Sequence, residues 1–317
     1  MKLIWYILLS LFCGILLAYF FAMYADPEMY LYAKTLPAKH KQASMYNENK
    51  IIFIGGSSCA HSIKPDLFIK ENLPCVNMGY HAGAGAPFIT VNGLSVAKPG
   101  DTIIYAMEPR LLQNNESISR VGLVGALALG NPFLANGGFL AERKLSFFDI
   151  IIHLRPGAWR LTKSLFISVF NINVHKYTYT DEHFWMTNTR SIAEPADSFG
   201  DYDGLNKKQL ALIERFVDRC NKQDIKVIAA IPWRLCRMND VPTSLEWDHD
   251  YAAELSYYLP VLMEKRSAVI TDKRLFSDTY YHLNRCGAQE RTKLYIDSLH
   301  EGNVMINGSC KQMKIIE

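Results

Sequence analysis

The stretch from residue 3 to residue 25, LIWYILLSLFCGILLAYFFAMYA, carries no charged side chain, and no other part of the chain approaches it in apolar length. As an α-helix it would span about 34 Å at 1.5 Å per residue, enough to cross the hydrocarbon of a bilayer. A cleaved signal peptide has a shorter apolar core, of about 7–15 residues. Met23 also stands where its cleavage site would want a small residue ahead of Ala25. Residues 1–25 therefore read as a retained membrane anchor, with a cleaved signal as the competing reading. Tyr24, Tyr30 and Tyr32 fall where an aromatic belt would lie, but basic residues do not orient the span: Lys2 is set against Lys34, Lys39 and Lys41.

The rest of the 317 residues has the make-up of a folded protein, with 49% hydrophobic and 21% charged residues over the whole chain. Its net charge of +3 arises from 34 basic and 31 acidic side chains spread along the sequence, so there is no basic field for nucleic acid. Of the seven cysteines, Cys13 lies in the apolar segment, and the other six show neither Cys-x-x-Cys nor any other zinc spacing. No metal or cofactor is called for, and no disulfide pairing is singled out.

Residues 26–49 are polar, contain two prolines and show no sustained apolar period, which reads as a tether. Beyond it, 51–55, 75–78, 101–107, 226–232 and 267–271 are short apolar runs with the character of strands. Continuous apolar runs mean burial on both faces, hence a mostly parallel sheet between helices. Helical periodicity marks 205–222 and about 287–300. The expected fold is α/β, a three-layer α/β/α sandwich with a five-stranded sheet over 50–300, interrupted by an insertion at about 111–200 and followed by a tail at 301–317. The insertion, Gly- and Leu-rich and then aromatic, suits a substrate groove, a partner-docking surface, a membrane-facing cap or simply an enlarged core.

Three segments carry chemistry. In IIFIGGSSCAHSI (51–63) a buried strand runs into two glycines and a serine pair, which leaves the Ser57 hydroxyl at a strand's carboxyl end, where open α/β sheets bind ligands. Phosphate-loop and dinucleotide fingerprints are missing from it. In VNMGYHAGAG (76–85) a second strand ends in Asn77 and Gly79, whose backbone N–H suits an oxyanion donor. In FSDTYYHLNRCGAQERT (276–292) Asp278 and His282 are spaced for a carboxylate to orient an imidazole, with Asn284 as the cap of the last helix. His61 and His81 lie near these segments and could line the site, although each is as easily an ordinary helix or loop residue with a satisfied ring.

This order of serine turn, glycine loop and Asp/His loop resembles the SGNH (GDSL-like) hydrolase superfamily, whose sheet is flavodoxin-like. GGSSCAHSI, VNMGYHAGAG and DTYYHLN are similar to its membrane-anchored bacterial subgroup of the D-alanine transfer and alginate-acetylation type. The resemblance implies Ser57 as nucleophile with Ser58 as fallback, Gly79 as oxyanion donor, and Asp278 with His282 as acid and base. Two departures stand out: the Asp-to-His gap is four residues instead of three, and the family's Gly-x-Asn-Asp block is replaced by YAMEPR. Glu108 stands in its place as a substrate-binding or loop-supporting residue, with Asn77 as a partial substitute donor.

The implied activity is that of an extracytoplasmic serine esterase or O-acyltransferase on the bacterial inner membrane, held by residues 3–25. It would take an acyl donor and a polysaccharide acceptor and work beside a polytopic membrane O-acyltransferase. The alternative is a catalytically inactive scaffold that binds glycan or such a partner.

Overall fold

The structure is a computed structural model that describes residues 2–115, 118–155, 161–164, 166, 177–179, 186–188, 194–195 and 202–316. Parts of the expected 111–200 insertion, including much of its aromatic stretch, lie outside the described residues. Helix α1 (Lys2–Phe20) continues through a π-helical turn over Phe21–Ala25 and is long and apolar enough to cross a membrane.

The expected tether is instead a helix, α2 (Pro27–Ser44), started by Asp26, whose side chain accepts from the Met29 N–H, and by Pro27 in the first turn. Met29, Tyr32, Ala33, Leu36 and Ala43 are buried in the main core. Their spacing of 29, 32, 33 and 36 is helical, but Pro37 inside the helix and the polar residues on its other face obscure that period.

The main sheet is built from β1 (Ile51–Ile54), β2 (Cys75–Asn77), β3 (Thr102–Tyr105), β6 (Lys226–Ala229) and β8 (Val261–Leu262), all parallel, in the spatial order β2-β1-β3-β6-β8. Counted along the chain this is 2-1-3-4-5, which places a topological switch point between β1 and β3. Two antiparallel strands, β10 (Asn303–Ile306) and β11 (Ser309–Gln312), extend the β8 edge, so the sheet has seven strands and is mixed, not five. They occupy the expected tail. The hairpin turns at Asn307 and Gly308, both with positive φ (49° and 71°), as a two-residue turn of this kind requires.

Of the expected strands, 267–271 contributes β9 (Val269–Ile270), which leaves the main sheet and pairs with β7 (Arg234–Leu235). A further ribbon joins β4 (Tyr177–Tyr179) to β5 (Met186–Asn188).

Alternate strand residues face opposite ways and both faces are covered. Ile52, Ile54, Ile103 and Tyr105 pack with α2, α5 (Ala86–Leu94), α7 (Arg120–Ala128) and α9 (Lys207–Lys222). Ile51, Phe53 and Ile104 pack with α4 (Pro65–Lys70) and α11 (Arg285–Glu301). Between the strands and these helices come α3 (Ser57–Ser62), α6 (Pro109–Gln113), α8 (Phe147–Leu154) and α10 (Val241–Leu255). The acidic run around Trp247 lies in α10, where Asp248 pairs with buried Arg234 at 2.9 Å.

Because Leu36 is fully buried, Leu36→Ala is expected to lower unfolding stability by about 2–5 kcal/mol. Urea unfolding of the full-length protein in detergent checks this, and an unchanged midpoint would mean that α2 is not part of the core.

Candidate active site

At the carboxyl end of β1 the chain turns through Gly55 and Gly56 into α3. A Cβ at Gly55 would strike the Ala106 carbonyl beyond β3, so the two strand ends approach across the switch point closely enough to need glycine. Glu108, just past β3, spans the same gap: its carboxylate accepts the Gly56 N–H at 2.9 Å and the Ser58 N–H at 2.7 Å. Burial pushes its proton affinity up, and the backbone N–H groups of Ser58 and Gly56 pull it back toward the ionised form. Glu108 is therefore a brace for the serine turn, which is the loop-supporting one of its two expected roles; its buried carboxylate is taken up by that turn and not turned to a substrate. Nearby, the Arg110 guanidinium lies over the Tyr280 ring.

Ser57 opens α3 and is half-buried, whereas Ser58 is 1% exposed. A hydroxyl must meet substrate to attack it, so this exposure selects Ser57 over the fallback Ser58. The Ser57 N–H is the one amide of 56–58 that Glu108 does not take.

The Asp/His loop precedes α11. Asp278 Oδ1 lies 2.8 Å from His282 Nδ1, and since a carboxylate only accepts, Nδ1 carries the shared proton and Nε2 is the basic nitrogen of the neutral ring. The loop is tightly tied: the His282 N–H donates to the Thr279 carbonyl at 3.2 Å, and the Ser277 N–H to the His282 carbonyl at 2.8 Å. Asn284 caps α11 as expected, accepting from the N–H groups of Cys286 and Gly287. Thr292 on α11 accepts the Lys64 N–H at 3.0 Å, which fixes that helix against the end of the α3 segment.

The histidine meets the serine helix through His61, which the sequence left between lining the site and being an ordinary helix residue. His61 is fully buried and stacks on His282, with ring centroids 4.0 Å apart and planes 17° apart. Ser57 and His61 are one helical turn apart and share a face of α3, so His282 is held against the face that carries Ser57. No hydrogen bond joins Ser57 to His282 among the described residues; catalytic contacts of this kind commonly tighten only when substrate is bound. The serine-to-His61 spacing was the available signal in the sequence. The β5 strand of the insertion also lies beside α3.

The second glycine segment departs from expectation. The Gly79 N–H donates to Asn77 Oδ1 at 2.8 Å and is not available as an oxyanion donor. The Asn77 amide nitrogen bonds the carbonyls of Cys59 and Ile63 at 3.2 and 3.0 Å, so this side chain ties β2 to α3 and is no substitute donor either. A Cβ at Gly79 would collide with the backbone of Ala60, the physical reason for glycine there.

Lys39 of α2, fully buried, donates to the Gly79 carbonyl at 2.6 Å, and Tyr32 of the same helix packs edge-on against Tyr80 and His81. The glycine segment is thus braced from α2, the helix that follows the long apolar one. Burial lowers the Lys39 ammonium to about 7 and raises the nearby Cys59 thiol to about 12, which keeps that sulfur neutral. All seven cysteines are free thiols. Among the described residues no group of three His, Cys, Asp or Glu side chains could hold a metal ion. A cavity of about 130 Å³ between Pro87, Leu140, Leu212 and Arg215 contains none of the residues above.

Comparison of the chain with family models, with characterised proteins and with solved structures finds no match.

Between the folded Lys39 value of about 7 and its ordinary value of 10.5, the unfolded chain binds one proton more than the native one. Its contribution to stability is therefore present at high pH and is lost as pH falls through about 7. Relative to Lys39→Met, wild-type stability should rise by about 1.4 kcal/mol per pH unit across that window. Denaturant titrations of both proteins at stepped pH measure it, and parallel curves would contradict it.

Proposed function

We propose that the chain is a membrane-anchored serine esterase or O-acyltransferase of the SGNH type that modifies a cell-envelope or exported polysaccharide from the extracytoplasmic side of a bacterial inner membrane. What carries this reading is the Asp278–His282 pair packed on the helix that begins with Ser57. In the reaction so envisaged, Ser57 Oγ attacks an ester carbonyl as its proton passes to His282 Nε2. The leaving alcohol takes that proton, and an acyl-serine remains. Water or a sugar hydroxyl then gives its proton to His282 as it attacks the acyl-serine, and His282 passes that proton to Ser57 Oγ as the acyl–oxygen bond to the serine breaks. Asp278 stabilises the imidazolium in both halves of the cycle. The Ser57 N–H, at the start of α3, suits the developing oxyanion.

An acyl donor and a polysaccharide acceptor follow from this chemistry, and a polytopic membrane O-acyltransferase fits as the partner that delivers the acyl group. The anchor supports the localisation by keeping the site beside the membrane, where such carriers would be.

One observation favours a second reading, an inactive scaffold that binds glycan or the membrane partner. The N–H groups of Gly56, Ser58 and Gly79 are all taken by side chains of the protein itself, so the oxyanion site is short of donors.

A fluorophosphonate probe distinguishes the two. On the enzyme reading it labels Ser57, labelling is lost in Ser57→Ala and His282→Ala, and Asp278→Asn slows ester turnover by about 10³–10⁴-fold through the wrong tautomer. Labelling that persists in both alanine variants would refute the assignment. Wild-type protein that never labels, together with unchanged polysaccharide ester content in Ser57→Ala cells, would favour the scaffold. For topology, a reporter fused after residue 300 should be active only outside the cytoplasm.

A further inference from the structure

Helix α8 is apolar on two opposite sides. Ile150 packs against the main core and Leu154 is buried, one turn further on, so these two mark its inner face. Phe148 and Ile152 are offset from them by two residues, about 200° of helical rotation, and point the other way. They are 73% and 62% exposed, and the adjoining Phe147 is 59% exposed. A helix on a water-facing surface carries polar residues on its outer side; α8 has only Asp149, engaged with Arg143 and Ser146, and His153, and its large outward apolar side chains suit another apolar phase.

The position of α8 identifies that phase. It packs against both α7 and α1. The face of α1 turned to the domain is half-buried at Ile15, Ala18 and Tyr19, while Leu16, Leu17 and Phe20 on its other sides stay exposed. At its two ends α8 is flanked by exposed Lys144 and Arg155, which suit anionic headgroups.

We propose that α8 is a second membrane contact, lying in the plane of the interface with Phe147, Phe148 and Ile152 among the acyl chains of an anionic bilayer. The apolar surface of α1 continues directly onto it, so lipid that surrounds the exit end of α1 covers α8 as well. Together the spanning helix and the in-plane helix hold the domain at one height and one tilt, whereas a single anchor on a tether would leave it free to swing. The proposal needs α1 to be in the bilayer and holds whether or not Ser57 is a nucleophile.

Site-directed spin labelling of the full-length protein tests it. In a background of Cys13→Ser, Cys286→Ser and Cys310→Ser, nitroxides are placed at Phe148→Cys, at Ile152→Cys and, as the control, at Tyr257→Cys. Tyr257 is exposed and lies near the β10–β11 hairpin, on the sheet edge opposite the β2 edge where α2 packs. All three positions are exposed, and a thermal midpoint equal to that of the background protein confirms each fold. In vesicles of phosphatidylethanolamine and phosphatidylglycerol, labels at 148 and 152 should be relaxed several-fold more by oxygen than by a water-soluble nickel chelate, with the reverse order at 257. The same aqueous profile at all three positions would overturn the proposal. So would protection of 148 and 152 from both relaxants, which would report a second copy of the chain on that face.

Discussion

The carboxylate of Glu108 joins the two strand ends on which the candidate site is built. β1 and β3 are neighbours whose connections leave in opposite directions, so their carboxyl ends bound a crevice. Nothing in the sheet ladder itself closes that crevice or sets the pitch of the chain leaving β1. Glu108 does so by taking two amides of the serine turn, Gly56 and Ser58. Removing its oxygens would leave two N–H groups at a buried turn unsatisfied, which is among the most damaging losses a fold can suffer. The same bonds that hold Ser57 in place also consume donors that an acyl-transfer site would use, which is why the brace bears directly on how Ser57 can act.

The second strand end is organised in the same manner. Asn77 takes carbonyls of α3 with its amide nitrogen and the Gly79 amide with its oxygen, so β2, the glycine segment and the serine helix move as one piece. Lys39 adds a third party by gripping the Gly79 carbonyl from α2. A buried amine on the helix that follows the long apolar helix connects the geometry of the site to how that helix is seated. Stacking of His61 on His282 supplies the last link, from the far end of the chain back to α3.

Much of this was legible beforehand and some of it was not, for identifiable reasons. The strands at 51–55, 75–78, 101–107 and 226–232 declare themselves because parallel strands buried on both faces must be continuously apolar. The two-residue β8 is too short to show any period, and 267–271, though a strand, pairs with Arg234–Leu235 through contacts that no local pattern encodes. The β10–β11 hairpin did carry a signal, the Asn307-Gly308 pair between short apolar and polar runs, which is outweighed by the polar look of the C-terminal tail. Helix α2 hid its 29, 32, 33, 36 stripe behind Pro37 and the basic residues around it.

The place of Ser57 at the turn after β1, the Asp278–His282 contact and the Asn284 cap were readable because each depends on features local to a few neighbouring residues: a hydroxyl after two glycines, a carboxylate four residues from an imidazole, an amide ahead of a helix. The apolar helix at the N-terminus belongs with them, since length and lack of charge are properties of the chain alone. Which N–H groups remain open to a substrate was settled only by tertiary structure. Gly56, Ser58, Gly79, Asn77, Glu108 and Lys39 come from four separate segments, and whether a donor is engaged depends on which acceptor the fold brings within about 3 Å of it. Hydrogen bonding is decided over ångströms in space, and a linear sequence records neighbours only along the chain.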